Sequence, residues 1–248
     1  MSPASPLAGR RVLVTGGAVR VGRALALCCA QMSMDVAVHY RSSAGPAGDT
    51  EWDCRELGVR AVTVAGDLGV AADCRRVVAD ARSAHGGLDV LVASASSFEA
   101  RAFADIDEAH IDAGLAVNLR APLLLAQAAA PGMRAAGFGR IVFMSDVAGL
   151  EPWPRFLVHS VAKAGLVMLT RGLAQELAPE VTVNAIAPGT VLMPDGHTQA
   201  ALRRSEEKSV LGRVGSPDDV AGALRYLLEA DYVTGHTLVV DGGRLVRP

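Results

Sequence analysis

Short, β-branched apolar runs alternate along the chain with longer stretches in which apolar residues return at helical spacing. Residues 11–15 (RVLVT) form the first run and end in glycines, and 19–32 then follows the helical period. The same alternation predicts strands at 36–39, 61–64, 88–93, 140–144, 181–187 and 237–240. It predicts helices at 49–57, 71–84, 107–136 (with Pro122 as the place for a bend), 156–177 and 217–228. Strand and helix taking turns imply a parallel sheet. The run at 88–93 has almost no polar residue, as expected of a central strand covered on both faces. Residues 190–211 are polar and weakly patterned, which suits a mobile lid more than a core element.

Composition narrows this picture. At 248 residues with no compositional break, one large domain is expected; half the residues are hydrophobic and a fifth charged, enough to bury a core. Lysine plus arginine (24) nearly balances aspartate plus glutamate (26), so no net field favours nucleic acid or an anionic membrane as a partner. The cysteines (Cys28, Cys29, Cys54, Cys74) lack metal-ligand spacing and read as small apolar fillers on helices, so no metal is expected. Residues 1–9 lack the pattern of a signal peptide, and no run of ~18 uninterrupted apolar residues occurs. A cytoplasmic protein is expected.

The chemistry begins at Thr15-Gly16-Gly17-Ala18-Val19-Arg20-Val21-Gly22, between the first strand and the first helix. Such a turn presents free N–H groups and the positive end of a helix dipole to a phosphate. Later landmarks are Gly66-Asp67-Leu68, Val117-Asn118-Leu119, Pro188-Gly189 and Asp241-Gly242-Gly243. In this set the chain, from about residue 10 to 243, resembles the short-chain dehydrogenase/reductase family, whose glycine fingerprint is T-G-x-x-x-G-x-G. The resemblance implies a Rossmann-like, doubly wound α/β fold with a parallel seven-stranded sheet in a single domain. It implies dinucleotide contacts from Gly16, Arg20, Val21, Gly22, Tyr40, Arg41, Ser42, Asp67, Leu68, Ala95, Ser96, Lys163, Pro188 and Gly189, with Asp67 at the adenine edge. A homotetramer built on the two long helices and the last strand is also implied, and the apolar run 123–126 is consistent with it.

The end of the second strand selects the dinucleotide, because an acid there would bind a free ribose hydroxyl and repel a 2′-phosphate. Here it reads His39-Tyr40-Arg41-Ser42-Ser43, in which Arg41 can form charge-assisted bonds to a phosphate. NADP(H) is the expected cofactor.

Catalysis in the family uses a serine after the fifth strand and Y-x-x-x-K on the next helix. Lys163 matches the lysine, but His159 stands in the tyrosine position and Asp146 in the serine position. Arg20 in place of the middle glycine, Asp146, and Ala95-Ser96-Ser97-Phe98 in place of N-N-A-G all resemble the pteridine reductase branch. That branch implies Arg20 and Phe98 as substrate contacts, with Phe98 stacking over the substrate against the nicotinamide; the wider family's catalytic positions fall on Asp146, His159, Lys163 and Asn118, of which His159 departs from the pattern. Near His159, the Lys163 ammonium would disfavour imidazolium and the Asp146 carboxylate would favour it.

Three functions remain open at this point. The first is an NADPH-dependent reductase of a pterin or other flat conjugated C=N or C=O substrate. The second is a nucleotide-binding or regulatory module with a degenerate site. The third is a non-redox acid/base enzyme with His159 as base. The remaining histidines, His85, His110, His197 and His236, are expected at the surface, and Trp153, Phe156, Leu192 and Met193 are candidates to line an apolar slot.

Overall fold

In the computed structural model of the protein, which describes residues 6–193 and 196–247, seven strands form one sheet. They are β1 (Arg11–Thr15), β2 (Asp35–Tyr40), β3 (Ala61–Ala65), β4 (Val90–Ala93), β5 (Gly139–Met144), β6 (Val181–Pro188) and β7 (Thr237–Val240). Their order is β3-β2-β1-β4-β5-β6-β7 and every pairing is parallel. The chain winds outward from β1 in one direction and then from β4 in the other, so a crevice opens where the carboxyl ends of β1 and β4 diverge.

Helices α1 (Arg20–Gln31), α2 (Ala44–Glu56) and α8 (Pro217–Glu229) bury one face of the sheet. Helices α3 (Ala71–His85), α5 (Ala121–Ala135) and α6 (Leu157–Leu177) bury the other. Two apolar layers result, divided by strand residues that alternate between them: Val12 and Val14 belong to one layer and Leu13 to the other. All four cysteines are buried on α1, α2 and α3, as expected.

Two helix boundaries are corrected. Helix α2 starts at Ala44, earlier than residue 49, although Gly45, Pro46 and Gly48 disfavour a helix. Pro46 lies in the first turn, where its missing N–H is not needed, and Ala47, Thr50 and Cys54 bury one face; the Thr50 hydroxyl donates to Ala18 O at 3.2 Å. The helix expected over 107–136 is instead α4 (Glu108–Leu115), a π-turn over Ala116–Arg120, and α5. The break therefore precedes Pro122, which sits harmlessly in the first turn of α5. Within 190–211 a nine-residue helix, α7 (Gln199–Glu207), forms with the Thr198 side chain accepting from the Ala201 N–H; residues 194–195 of that segment lie outside the described residues.

His85 and His110 are buried, against expectation. Each falls on the inner face of its helix, at the last turn of α3 and in α4, where the helical period rather than the polarity of the ring decides its place. The stretches Glu108–Ala135 and Pro154–Leu177 are long and apolar enough, by length and composition, to cross a membrane; in this fold their inner faces pack on the sheet.

Candidate active site

Two adjoining cavities occupy the crevice. One, of about 440 Å³, is lined by Gly16, Arg20, Val21, Gly22, Tyr40, Arg41, Ser42, Asp67, Leu68, Ala95 and Ser96, all anticipated from the sequence, together with His39 and Val117. The other, of about 420 Å³, shares Arg20, Val21, Ser94 and Ser96, and adds Phe98, Asp146, Trp153, His159, Lys163, Pro188, Gly189, Leu192 and Met193. Every candidate cofactor and substrate residue thus borders one or both.

The first cavity has the geometry of a phosphate cradle. Gly16 holds a positive φ of 64°, and a Cβ placed on Gly22 would lie 1.9 Å from the Gly16 carbonyl oxygen, so only glycine permits this approach of turn to helix. Arg20 also has a positive φ, 54°, in the place where the family pattern has glycine. The backbone thus keeps a glycine-like conformation and bears the strain of a side chain, of order 1–3 kcal/mol, at a position that faces both cavities. Beyond the turn, Arg41 and Ser42 are exposed at the end of β2, and no acid stands there.

His39, assigned no role in the sequence, ties this cradle together. Its Nδ1 accepts from the Gly16 N–H at 3.1 Å, which requires Nε2 to carry the proton; Nε2 lies 3.1 Å from Gly66 O and donates to it. One neutral ring therefore joins the glycine turn to the segment that ends in Asp67. Burial pushes its pKa down to about 4. Thr15 adds a second tie, its hydroxyl oxygen accepting from the N–H groups of Ser94 and Ala95 at 3.0 and 3.1 Å. These long-range bonds leave no pattern in the sequence.

Asn118, a catalytic candidate from the sequence, sits in the π-turn and is buried, and it lines neither cavity. Its amide donates to Ser97 O at 2.9 Å and to Gly114 O at 3.0 Å, and its Oδ1 accepts from the Ser96 hydroxyl at 2.7 Å and the Ser97 N–H at 3.2 Å. The extra residue of a π-turn is what turns this side chain toward the β4 loop instead of along the helix.

Lys163 is buried on α6 and donates to Met144 O at 2.7 Å. Burial lowers its pKa to about 8, against the opposing pull of Asp146.

His159, one helical turn before Lys163, is buried as well. Its Nδ1 lies 3.3 Å from Ser97 O; a carbonyl only accepts, so Nδ1 carries a proton. Its Nε2 lies 3.5 Å from Asp146 Oδ2, within ion-pair reach, yet it has no formed hydrogen bond among the described residues and is closed off from solvent. Asp146 is the more open partner: its side chain is 24% exposed against 5% for His159. The other Asp146 oxygen accepts from the Ala148 N–H at 2.7 Å, which fixes the carboxylate at the cavity edge.

An aromatic wall completes the cavity. Phe98 stacks on Phe156 with centroids 4.1 Å apart and planes 8° apart, while Trp153 and His159 meet Phe98 edge-on at 6.2 and 4.9 Å. Phe156 thus supports Phe98 from behind, and Phe98 stays more than half exposed.

Comparison with known proteins places this geometry among relatives. Residues 17–244 match the family model described as enoyl-(acyl carrier protein) reductase. The chain is 35% identical to L-rhamnose 1-dehydrogenase (NAD(P)(+)) of Sphingomonas sp. strain SKA58, covering 97% of this chain and 98% of that protein. It is 34% identical to human dehydrogenase/reductase SDR family member 4, over 98% of this chain and 90% of that one. Among solved structures it resembles a short chain dehydrogenase from Burkholderia cenocepacia J2315 in complex with NADP. That likeness has a TM-score of 0.89 at 32% identity and covers 96% of this chain and 99% of the other.

Proposed function

Because the chain belongs to the short-chain dehydrogenase/reductase family of oxidoreductases, we propose that it is an NADPH-dependent reductase in which Asp146, backed by His159, donates the proton. The observation that carries this reading is the orientation of the imidazole: both side chains border the cavity, but Nδ1 is committed to Ser97 O and Nε2 is closed off from solvent, so the carboxyl group is the more open member of the pair. His159 therefore does not stand in for the family tyrosine as a direct donor. A base at His159 for non-redox chemistry would need a free nitrogen open to the cavity; Nδ1 is engaged by Ser97 O and Nε2 is closed off from solvent, which counts against that alternative.

The residues of the cradle suit NADP(H). Gly16 and Gly22 let the diphosphate approach the α1 N-terminus, Arg41 and Ser42 supply donors for a 2′-phosphate, and Asp67 borders the adenine end. Lys163 is the residue that would hold the nicotinamide ribose end, with Pro188 and Gly189 beside it, while Asn118 fixes the loop that carries Ser96 and Ser97. When bound, the cofactor supplies the hydride. The protein's own task is then to present the substrate flat against Phe98, keep Arg20 at its polar edge, and pass a proton from Asp146 to the nitrogen or oxygen of the bond being reduced. Solvent resupplies that proton through the exposed edge of Asp146.

Arg20, Asp146 and the Ser96-Ser97-Phe98 run support a pterin or another flat conjugated C=N or C=O compound as substrate. The outer faces of α4 and α6 expose Ile111, Leu157, Val161 and Met168, and α5 exposes Leu123, an apolar surface that suits burial against further copies in a homotetramer. The test is calorimetric titration with NADPH followed by turnover on dihydropteridines, quinones and small ketones. NADPH binding together with turnover on a flat ring supports the reading. Tight NADPH binding without hydride transfer to any of them overturns it in favour of a nucleotide-binding module.

A further inference from the structure

Behind the aromatic wall the C-terminal segment reaches the substrate cavity by a route independent of the catalytic groups. After β7, the Asp241 carboxylate accepts from the Gly243 N–H and the Leu245 N–H, both at 2.8 Å, and so fixes a tight turn over Arg244–Val246. That turn aims Arg244 inward, leaving its side chain 13% exposed. The Arg244 Nε donates to Glu151 Oε1 at 2.7 Å, and Nη2 contacts the same oxygen. The Trp153 indole N–H donates to that oxygen too, at 2.7 Å, while the guanidinium lies over the indole ring at 4.6 Å. One carboxylate oxygen and one guanidinium therefore grip Trp153 by its edge and its face.

Trp153 needs such a grip. It lies between Pro152 and Pro154 and caps a single 3-10 turn, outside any α-helix or strand, so its ring angle depends on its side-chain partners. Its ring lines the cavity and meets both Phe98 and Phe156 edge-on, so a change in its angle would widen or narrow the slot beside the exposed face of Phe98.

We propose that Arg244 and Glu151 are positioning residues for substrate selection: by fixing Trp153 they set the width of the aromatic slot, and they make the C-terminal turn part of the selecting machinery. This rests on the reading of the cavity as the substrate site. The pair favours flat rings over small aliphatic carbonyls, which fill no aromatic slot.

The test uses Trp52→Phe as background, since Trp52 is the other of the two tryptophans and is exposed. Arg244→Met and Glu151→Gln should shift the Trp153 emission to the red and increase its quenching by acrylamide. They should also weaken binding of 7,8-dihydrobiopterin to the NADPH-loaded protein roughly fivefold or more, with NADPH affinity unchanged. Arg244→Lys keeps the charge without the planar fork and should recover binding only in part; it also serves if Arg244→Met fails to fold. Where turnover occurs, KM for the flat ring should rise while KM for 2-butanone and kcat hold. Unchanged emission, or altered emission with unchanged dihydrobiopterin affinity, overturns the proposal. A parent protein that binds NADPH but no flat ring overturns the substrate reading itself, and is recognised because the emission shift persists.

Discussion

The two ends of the cleft are built on different terms. At the nucleotide end, the requirements are backbone requirements: Gly16 and Gly22 let chain approach chain, and even Arg20 retains a glycine-like φ. At the substrate end a similar frame holds, with Lys163 bonded to Met144 O and Asn118 in its π-turn, while the side chains proposed to move the proton, Asp146 and His159, face each other at 3.5 Å without a formed hydrogen bond. A backbone cradle tolerates almost no substitution, whereas a proton can be delivered by any acid placed at the right edge. Chemistry can therefore change at one end of a fold while binding at the other stays fixed.

The sharpest way to break the contrast is to disturb the cradle. Gly22→Ala would put a Cβ 1.9 Å from the Gly16 carbonyl oxygen, and neither backbone can yield without moving β1 or α1. We expect loss of measurable NADPH binding by calorimetry and a clearly lower Tm. A variant with normal affinity would show that the turn is not the phosphate site.

Next in size is the choice of dinucleotide. Arg41→Ala should weaken NADPH by about 1–3 kcal/mol and leave NADH unchanged, the scale of a charge-assisted bond. Equal affinity of the parent for the two cofactors would remove the role of Arg41.

Lys163 links the two ends through pH. Its charge is lost near pH 8, so NADPH affinity should fall as pH rises through about 8, earlier than an exposed lysine would cause. The effect on stability has the opposite sign. Because folding disfavours the charged form, the destabilisation by this lysine is full below about pH 8 and is relieved as pH climbs toward 10.5, the ordinary lysine value. Calorimetric titrations and thermal melts across this range should therefore diverge, and Lys163→Met should abolish both trends.

A smaller effect is expected at the aromatic wall. Phe98→Ala should raise KM for a flat substrate roughly fivefold or more and lower kcat less, because the ring binds substrate without touching the proton. A loss confined to kcat would place Phe98 in the chemistry.

Much of this was readable in the sequence, for physical reasons that differ by element. β1 and β7 fall on the residues expected, since short β-branched runs bounded by glycine admit little else. The start of α2 was hidden by Gly45, Pro46 and Gly48, whose weak propensity is overridden by burial of Ala47, Thr50 and Cys54. The π-turn at Ala116–Arg120 adds a single residue to a helical period, too little to disturb a hydrophobic pattern. The residues lining the cleft were legible because the motifs fix their positions. What they do to one another was not: the bonds from His39 to Gly16 and Gly66, and the grip of Arg244 on Trp153, join segments far apart in the chain. The direction of the His159 ring likewise depends on Ser97 O, a carbonyl that any residue would supply.

Single-turnover hydride transfer, followed by the decay of NADPH absorbance in the parent, Asp146→Asn and His159→Tyr, tests the central claim most directly. With Asp146 as donor and His159 behind it, Asp146→Asn should slow transfer roughly 100-fold or more at unchanged NADPH affinity, while His159→Tyr should keep or raise the rate. A parent that transfers hydride equally well with asparagine at position 146, or that loses all transfer with tyrosine at position 159, would contradict the account.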